Sequence, residues 1–180
     1  MIYDITRELL STPPYPGEAG PVLTRERDMA RGDYNLSRIE MSLHAGTHID
    51  APLHYIEGGA DAASTDLTLY SGSCFVLPAE ALDALRQAPP RLLLRGEPAL
   101  SPVRIEKLIA LGVRLLGVET QSVGTREDER GPHVRLLSAG VALLENIDLA
   151  GAPDGPCVLC AFPLRIAGAE ASPCRAVLFV

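Results

Sequence analysis

Apolar and polar positions alternate along YDITREL near the amino terminus, which predicts a short strand. STPPYPGEAGP follows, and its density of Pro and Gly makes it a surface loop. Alternation resumes from Tyr34 to Leu43 (YNLSRIEMSL), the pattern of a half-buried strand. CFVLPA around Val76 reads as a short apolar strand, AEALDALRQ as a brief helix stopped by the Pro89–Pro90 pair, and RLLLRG as a further strand. SPVRIEKLIALG carries a set of helix signals, with Ser101 as N-cap, Pro102 at the first helical position and Gly112 as C-cap. VRLLGVET is a strand of the buried type. HVRLLSAGVALLENI combines a short helix with a strand ending near Glu145, and PCVLCAFPLRIAG and PCRAVLFV are closing strands. Strands outnumber helices and follow one another both directly and across helices, so a layered, mixed α/β fold with a mixed sheet is expected.

No repeat or low-complexity linker divides the chain, and 180 residues suit one domain, residues 1–180. That length buries roughly two thirds of the unfolded surface. With 16 Lys+Arg against 23 Asp+Glu, a net charge of -7 and no basic run, neither nucleic acid nor an anionic membrane is expected as a partner. No apolar stretch approaches the ~20 residues that span a bilayer. The first residues lack the basic and apolar regions of a secretory signal, so a soluble, cytoplasmic protein is expected. Four cysteines then read as reduced thiols. The Cys157/Cys160 pair lies in an apolar run with no second pair to complete a metal site, which favours core packing.

Histidine changes the picture. The chain has four, and His44, His48 and His54 fall within eleven residues, in SLHAGTHIDAPLHY. Gly46, Thr47, Ile49 and Pro52 oppose a helix here. An extended piece ending near His44, a turn at Ala45-Gly46 and a second extended piece place His48 and Asp50 on one side, with His44 folded back towards them. Two imidazoles and a carboxylate that converge suit a first-row divalent ion, and zinc, manganese and iron all accept the set. Three protein donors leave positions open, the pattern of a catalytic site. A polar loop with satisfied histidines is the plain alternative, and the interleaving of three His with Asp, Gly, Thr and Pro weighs against it.

HAGTHIDAPLH resembles the HxGTHxDxPxH signature of the cyclase family, which includes the bacterial kynurenine formamidases. Tyr15-Pro16-Gly17 is similar to that family's loop after its opening strand, and GVETQSVG to its G-x-D-T-x-S segment. His133 followed twelve residues later by Glu145, and the closing FPLRIAGAEASPCRAVLF, resemble its later landmarks in the right order. The resemblance implies a three-layer β/β/α swivelling-type domain and a homodimer in which loops of one subunit approach the other's site. It implies one metal on His44, His48 and Asp50, and a second on His133 with Asp50 and Glu145 bridging. Two zinc ions per subunit are expected, with manganese as the alternative. His54 is implied as the proton donor and acceptor.

Such ions bring the pKa of a bound water from ~15.7 towards neutrality. His54 then serves an amine leaving group, which must receive a proton. Glu119 stands where the family carries Asp and, with Thr47, is expected to support the site without ligating metal. Tyr15 is expected to contact substrate where the formamidases carry Trp. This chain has no Trp, and its segment from Pro78 to Gly96 is abbreviated. A small-molecule amide is therefore expected as substrate, with an arylformamide such as N-formylkynurenine foremost. Opening of a cyclic amide or lactone, as in isatin hydrolysis, and a non-catalytic metal-binding module are the alternatives.

Overall fold

The computed structural model describes residues 1–180. In chain order the strands and helices are β1 (Ile2–Asp4), β2 (Val22–Arg27), β3 (Leu36–Glu40), β4 (His48–Asp50), β5 (Ser71–Pro78), β6 (Arg91–Arg95), α1 (Pro102–Ala110), β7 (Leu115–Val118), α2 (Arg130–Ser138), β8 (Ala142–Glu145), β9 (Gly155–Cys160), β10 (Ala171–Pro173) and β11 (Val177–Phe179). Nine strands form one mixed sheet in the order β1-β11-β9-β5-β6-β7-β8-β4-β10. β5, β6, β7 and β8 run parallel, joined by a 3-10 turn at Ala79–Ala84 and by α1 and α2. The outer strands pair antiparallel.

The central strands are covered on both faces, which is why they read as unbroken apolar runs. Leu92, Leu94, Leu116, Val118 and Leu143 pack beneath Ile105 and Leu108 of α1 and Leu136 and Leu137 of α2. Their neighbours Leu93, Leu115 and Leu144 point the other way and share a core with Ile49 of β4, Leu159 of β9 and Leu178 of β11. β4 and β11 lie towards opposite ends of the sheet order, so a common core requires the sheet to curl over on itself. Helices, near half-sheet and far half-sheet make three layers, as the resemblance implies. α1 follows its signals: the Ser101 hydroxyl accepts from the Arg104 N–H at 3.3 Å, and Gly112 takes φ +77° just past the helix.

Three expectations are corrected. The strand expected over residues 34–43 is the shorter β3, exposed along its whole length rather than half-buried. It pairs only with β2, which the pattern did not reveal, as a ribbon outside the main sheet with Leu23 opposite Ile39. Its alternation therefore marks the two faces of a hairpin, with no core of this chain beneath either. β3 also stops at Glu40, so residues 41–47 reach His44 as a turn and not as strand. Finally, AEALDALRQ forms only the 3-10 turn Ala79–Ala84, with no side-chain cap at Pro78 and an extended Leu85 ending it. β10, three residues long, carries too short a pattern to be recognised in advance.

Gly117 in β7 faces the curled core. A Cβ there would stand 2.2 Å from Leu93 Cδ2 and 3.3 Å from Ile147 Cδ1, both on fully buried side chains. Gly117→Ala is expected to cost about 1–3 kcal/mol as Leu93 is forced aside. Chemical denaturation checks this, with a lowered midpoint and an unchanged slope as the expected result.

Candidate metal centre

Strand parity aims the site. Ile49 points into the curled core, so its neighbours His48 and Asp50 emerge together on the helix-covered face. β4 pairs antiparallel with β8, with His48 directly opposite Glu145. Glu145 follows core-facing Leu144 and so emerges on that same face. His133 comes from α2, which packs above β8. His44 is delivered by the turn before β4, where Gly46 takes φ +65° and would bring a Cβ to 3.0 Å from Leu9 Cδ1. The left-handed conformation favours glycine there.

The donors converge. His44 Nδ1 lies 3.2 Å and His48 Nε2 3.4 Å from Asp50 Oδ1. His133 Nε2 lies 3.4 Å from Asp50 Oδ2 and 3.3 Å from Glu145 Oε1. His48 Nε2 is 3.5 Å from Glu145 Oε2. Thus Asp50 faces three imidazoles and Glu145 two, and the downstream histidine joins the cluster. His48 Nδ1 contacts the Gly46 carbonyl at 2.9 Å and His133 Nδ1 the Glu129 carbonyl at 2.7 Å. A carbonyl only accepts, so each Nδ1 carries a proton, and each Nε2, facing the carboxylates, is left for a second proton or a cation.

Asp50 has no solvent exposure, and neither of its oxygens has a hydrogen-bond partner; His48 Nε2 is equally unpartnered. Buried polar atoms left this way are costly, and a cation is what this donor set accommodates. Donors ~2.0–2.2 Å from a shared ion stand ~3–3.6 Å apart, which is the spacing seen. Burial alone would pull the pKa of His48 and of His133 down, yet the Asp50 and Glu145 carboxylates raise both to about 10. Burial would raise the Asp50 pKa, but His133, His44 and His48 hold it well below the usual carboxylate range. Protons and a divalent ion thus compete for the same lone pairs.

His54 ends the 3-10 turn Pro52–His54, its ring 4.3 Å from that of His44 and 5.6 Å from that of His133. Burial lowers its pKa, so it is neutral at pH 7. One donor atom each from Asp50, His54 and His133 also lie within 4.8 Å of one another. Tyr15 lines the same cleft, of ≈ 170 Å³. Glu119 lies outside the donor cluster and accepts from the Gly96 and Leu149 N–H groups at 2.7 and 2.8 Å, tying two loops together. Thr47 donates to the Asn146 carbonyl at 2.6 Å and accepts from the Arg7 N–H at 3.0 Å, which locks the start of β4 to the end of β8. Cys157 and Cys160, three apart in β9, fall on opposite faces, so they do not share a site.

Sequence reasoning passed over Tyr55 and Glu129, which also line the cleft. Tyr55 lies 4.6 Å from His133 and 4.3 Å from His54, ring to ring. Glu129 carried one usable signal: it stands four residues before His133, on the same helical face.

Residues 3–97 match the sequence model of the family described as "Putative cyclase". A kynurenine formamidase from Polaromonas naphthalenivorans is 37% identical over 165 residues, covering 80% of this chain and 74% of that protein. The chain belongs to the cyclase family. Among solved structures, a "predicted metal-dependent hydrolase" from Bacillus stearothermophilus superposes with a TM-score of 0.82 at 28% identity, covering 99% of this chain and 98% of that one. A "potential metal-dependent hydrolase with cyclase activity" gives 0.81 at 27%, covering 99% and 97%. Isatin hydrolase A from Labrenzia aggregata shares the cyclase fold, with a TM-score of 0.81 at 22% identity over 100% of this chain and 93% of that one. This member of the cyclase family is a hydrolase, with a mixed, curled sheet and a His/Asp cluster suited to a divalent ion.

The raised imidazole pKa values give the metal-free protein a signed pH dependence. Their contribution to stability is complete below the unfolded value of ~6.5 and disappears as pH climbs through about 10. Thermal melts of metal-free protein should therefore show Tm falling from pH ~6.5 upwards, and zinc added at pH 7 should release protons. A Tm that rises over that interval would contradict the assignment.

Proposed function

We propose that this hydrolase cleaves the amide C–N bond of an arylformamide, with N-formylkynurenine the foremost candidate, using two divalent ions per subunit. The observation that carries the reading is Asp50, fully buried, unpartnered and facing histidines from two distant segments. His44, His48 and Asp50 would hold one ion, and His133, Asp50 and Glu145 the other, with zinc the expected metal and manganese the alternative. Ions held there supply Lewis acidity and draw the pKa of water towards neutrality. The 37% identity to a kynurenine formamidase supports the substrate class.

His54 is given the proton transfers. It projects into the cleft from its turn, half-buried and neutral at pH 7, beside the donors but without a hydrogen bond that would commit its nitrogens. It takes the proton of the attacking water and delivers one to the departing arylamine, which is expelled neutral. Tyr15 and Tyr55 line the cleft, and their rings are the groups there on which an aryl substrate would stack.

A homodimer and a cytoplasmic location complete the proposal. An isolated two-stranded ribbon is marginally stable in water. Val22, Leu23, Leu36 and Ile39 are each more than two-fifths exposed on it, so a second copy is the natural cover. Four free cysteines suit a reducing compartment.

Zinc- or manganese-loaded protein, offered N-formylkynurenine, formanilide and isatin side by side, should hydrolyse the formamides. Opening of isatin alone would overturn the substrate class, and no turnover at all the catalytic reading. His54→Ala should lower kcat by ~10²–10⁴ while two ions per chain remain. A drop to one ion would make His54 a ligand of the second metal instead. Light scattering tests the assembly: Leu23→Glu with Ile39→Glu should convert a dimer to monomers, whereas a monomeric native protein contradicts it.

A further inference from the structure

The cleft has a built rim that the catalytic donors do not explain. The Tyr15 hydroxyl donates to Glu129 Oε2 at 2.8 Å, and the Ser122 hydroxyl donates to Glu129 Oε1 at 2.5 Å. Both carboxylate oxygens are thereby committed to two different loops that line the cleft. Ser122 in turn accepts from the Gly124 N–H at 2.9 Å. The neighbouring Gln121 amide donates to the Pro13 and Pro14 carbonyls at 2.8 and 3.2 Å, so the Tyr15 loop is held from two sides. The main-chain carbonyl of Glu129 accepts the His133 Nδ1 proton. One residue at the head of α2 therefore faces two ways: its side chain fixes the rim, and its backbone fixes a metal donor.

We infer that Glu129 is a positioning residue for substrate, a clamp that holds the Tyr15 ring as one wall of the aryl subsite. The inference rests on the arylformamide reading above. Its logic is geometric. The rim residues 10–19 are irregular and mostly exposed, with no strand to hold Tyr15 in place. Hydrogen bonds to a charged acceptor are strong enough to do so. The Glu129 carboxylate raises the Tyr15 phenol to about 12, so the hydroxyl remains a donor throughout the working pH range. Holding the ring before substrate arrives removes an ordering cost from binding and leaves the chemical step untouched.

Side chain and backbone are separable by mutation, because Glu129→Ala keeps the carbonyl that orients His133. Glu129→Ala and Tyr15→Phe should each raise KM for formanilide by ~5–50-fold, with a much smaller change in kcat and two ions per chain retained. The double variant should be no worse than Glu129→Ala alone, since the Tyr15–Glu129 bond is already absent there. A readout free of substrate accompanies these. The chain lacks Trp, so tyrosine ionisation is read directly from absorbance. Glu129→Ala should ionise one more tyrosine by pH 11 than the native protein does, and Tyr15→Phe in that background should abolish the difference. Additive KM effects, loss of metal in Glu129→Ala, or unchanged tyrosine ionisation would overturn the clamp. Failure of every formamide to turn over, with the metal count and tyrosine result as expected, would overturn the arylformamide reading and with it the clamp's role in substrate binding.

Discussion

A carboxylate without solvent and without a hydrogen-bond donor is the constraint around which this molecule is arranged. Asp50 has zero exposure and two unpartnered oxygens. Removing such a group from water costs several kcal/mol unless positive charge faces it. Every element near it answers that demand. Ile49 anchors β4 so that Asp50 must point towards the helices, the β4–β8 register sets Glu145 beside His48, and α2 lowers His133 from above. A divalent ion suits this donor set and would offset that cost, as the imidazoles with their raised pKa do without it.

The site then divides by how its groups are held. His48 and His133 sit on a strand and a helix and have their ring protons tied to main-chain carbonyls, so their directions are set by the backbone. The outer wall is a Pro-rich loop held by side chains such as Gln121 and Glu129. Chemistry common to a family belongs on the first kind of support, and substrate choice on the second, where a loop can change without disturbing the sheet.

Much of the inner site was legible because its signal is local. Two-residue spacing put His48 and Asp50 on one face, and Gly46 announced the turn that returns His44. His133 and Glu145 carried no such signal. They meet the cluster only through the β4–β8 pairing and the seat of α2, which are long-range facts, and resemblance to the cyclase family supplied them. Helix α1 was legible from Ser101, Pro102 and Gly112, each acting on its own backbone. The β2–β3 ribbon was misjudged because alternation records two different faces without saying whether a core lies under either. Glu129 was missed because its role depends on a loop more than one hundred residues away.

The most direct measurement of the central claim is anomalous diffraction from crystals of the zinc- or manganese-loaded protein. Two peaks on either side of the Asp50 carboxylate, ~3.5–4 Å apart, are the expected result, one by His44 and His48 and the other by His133 and Glu145. A carboxylate with no anomalous scatterer beside it in fully loaded protein would contradict the account.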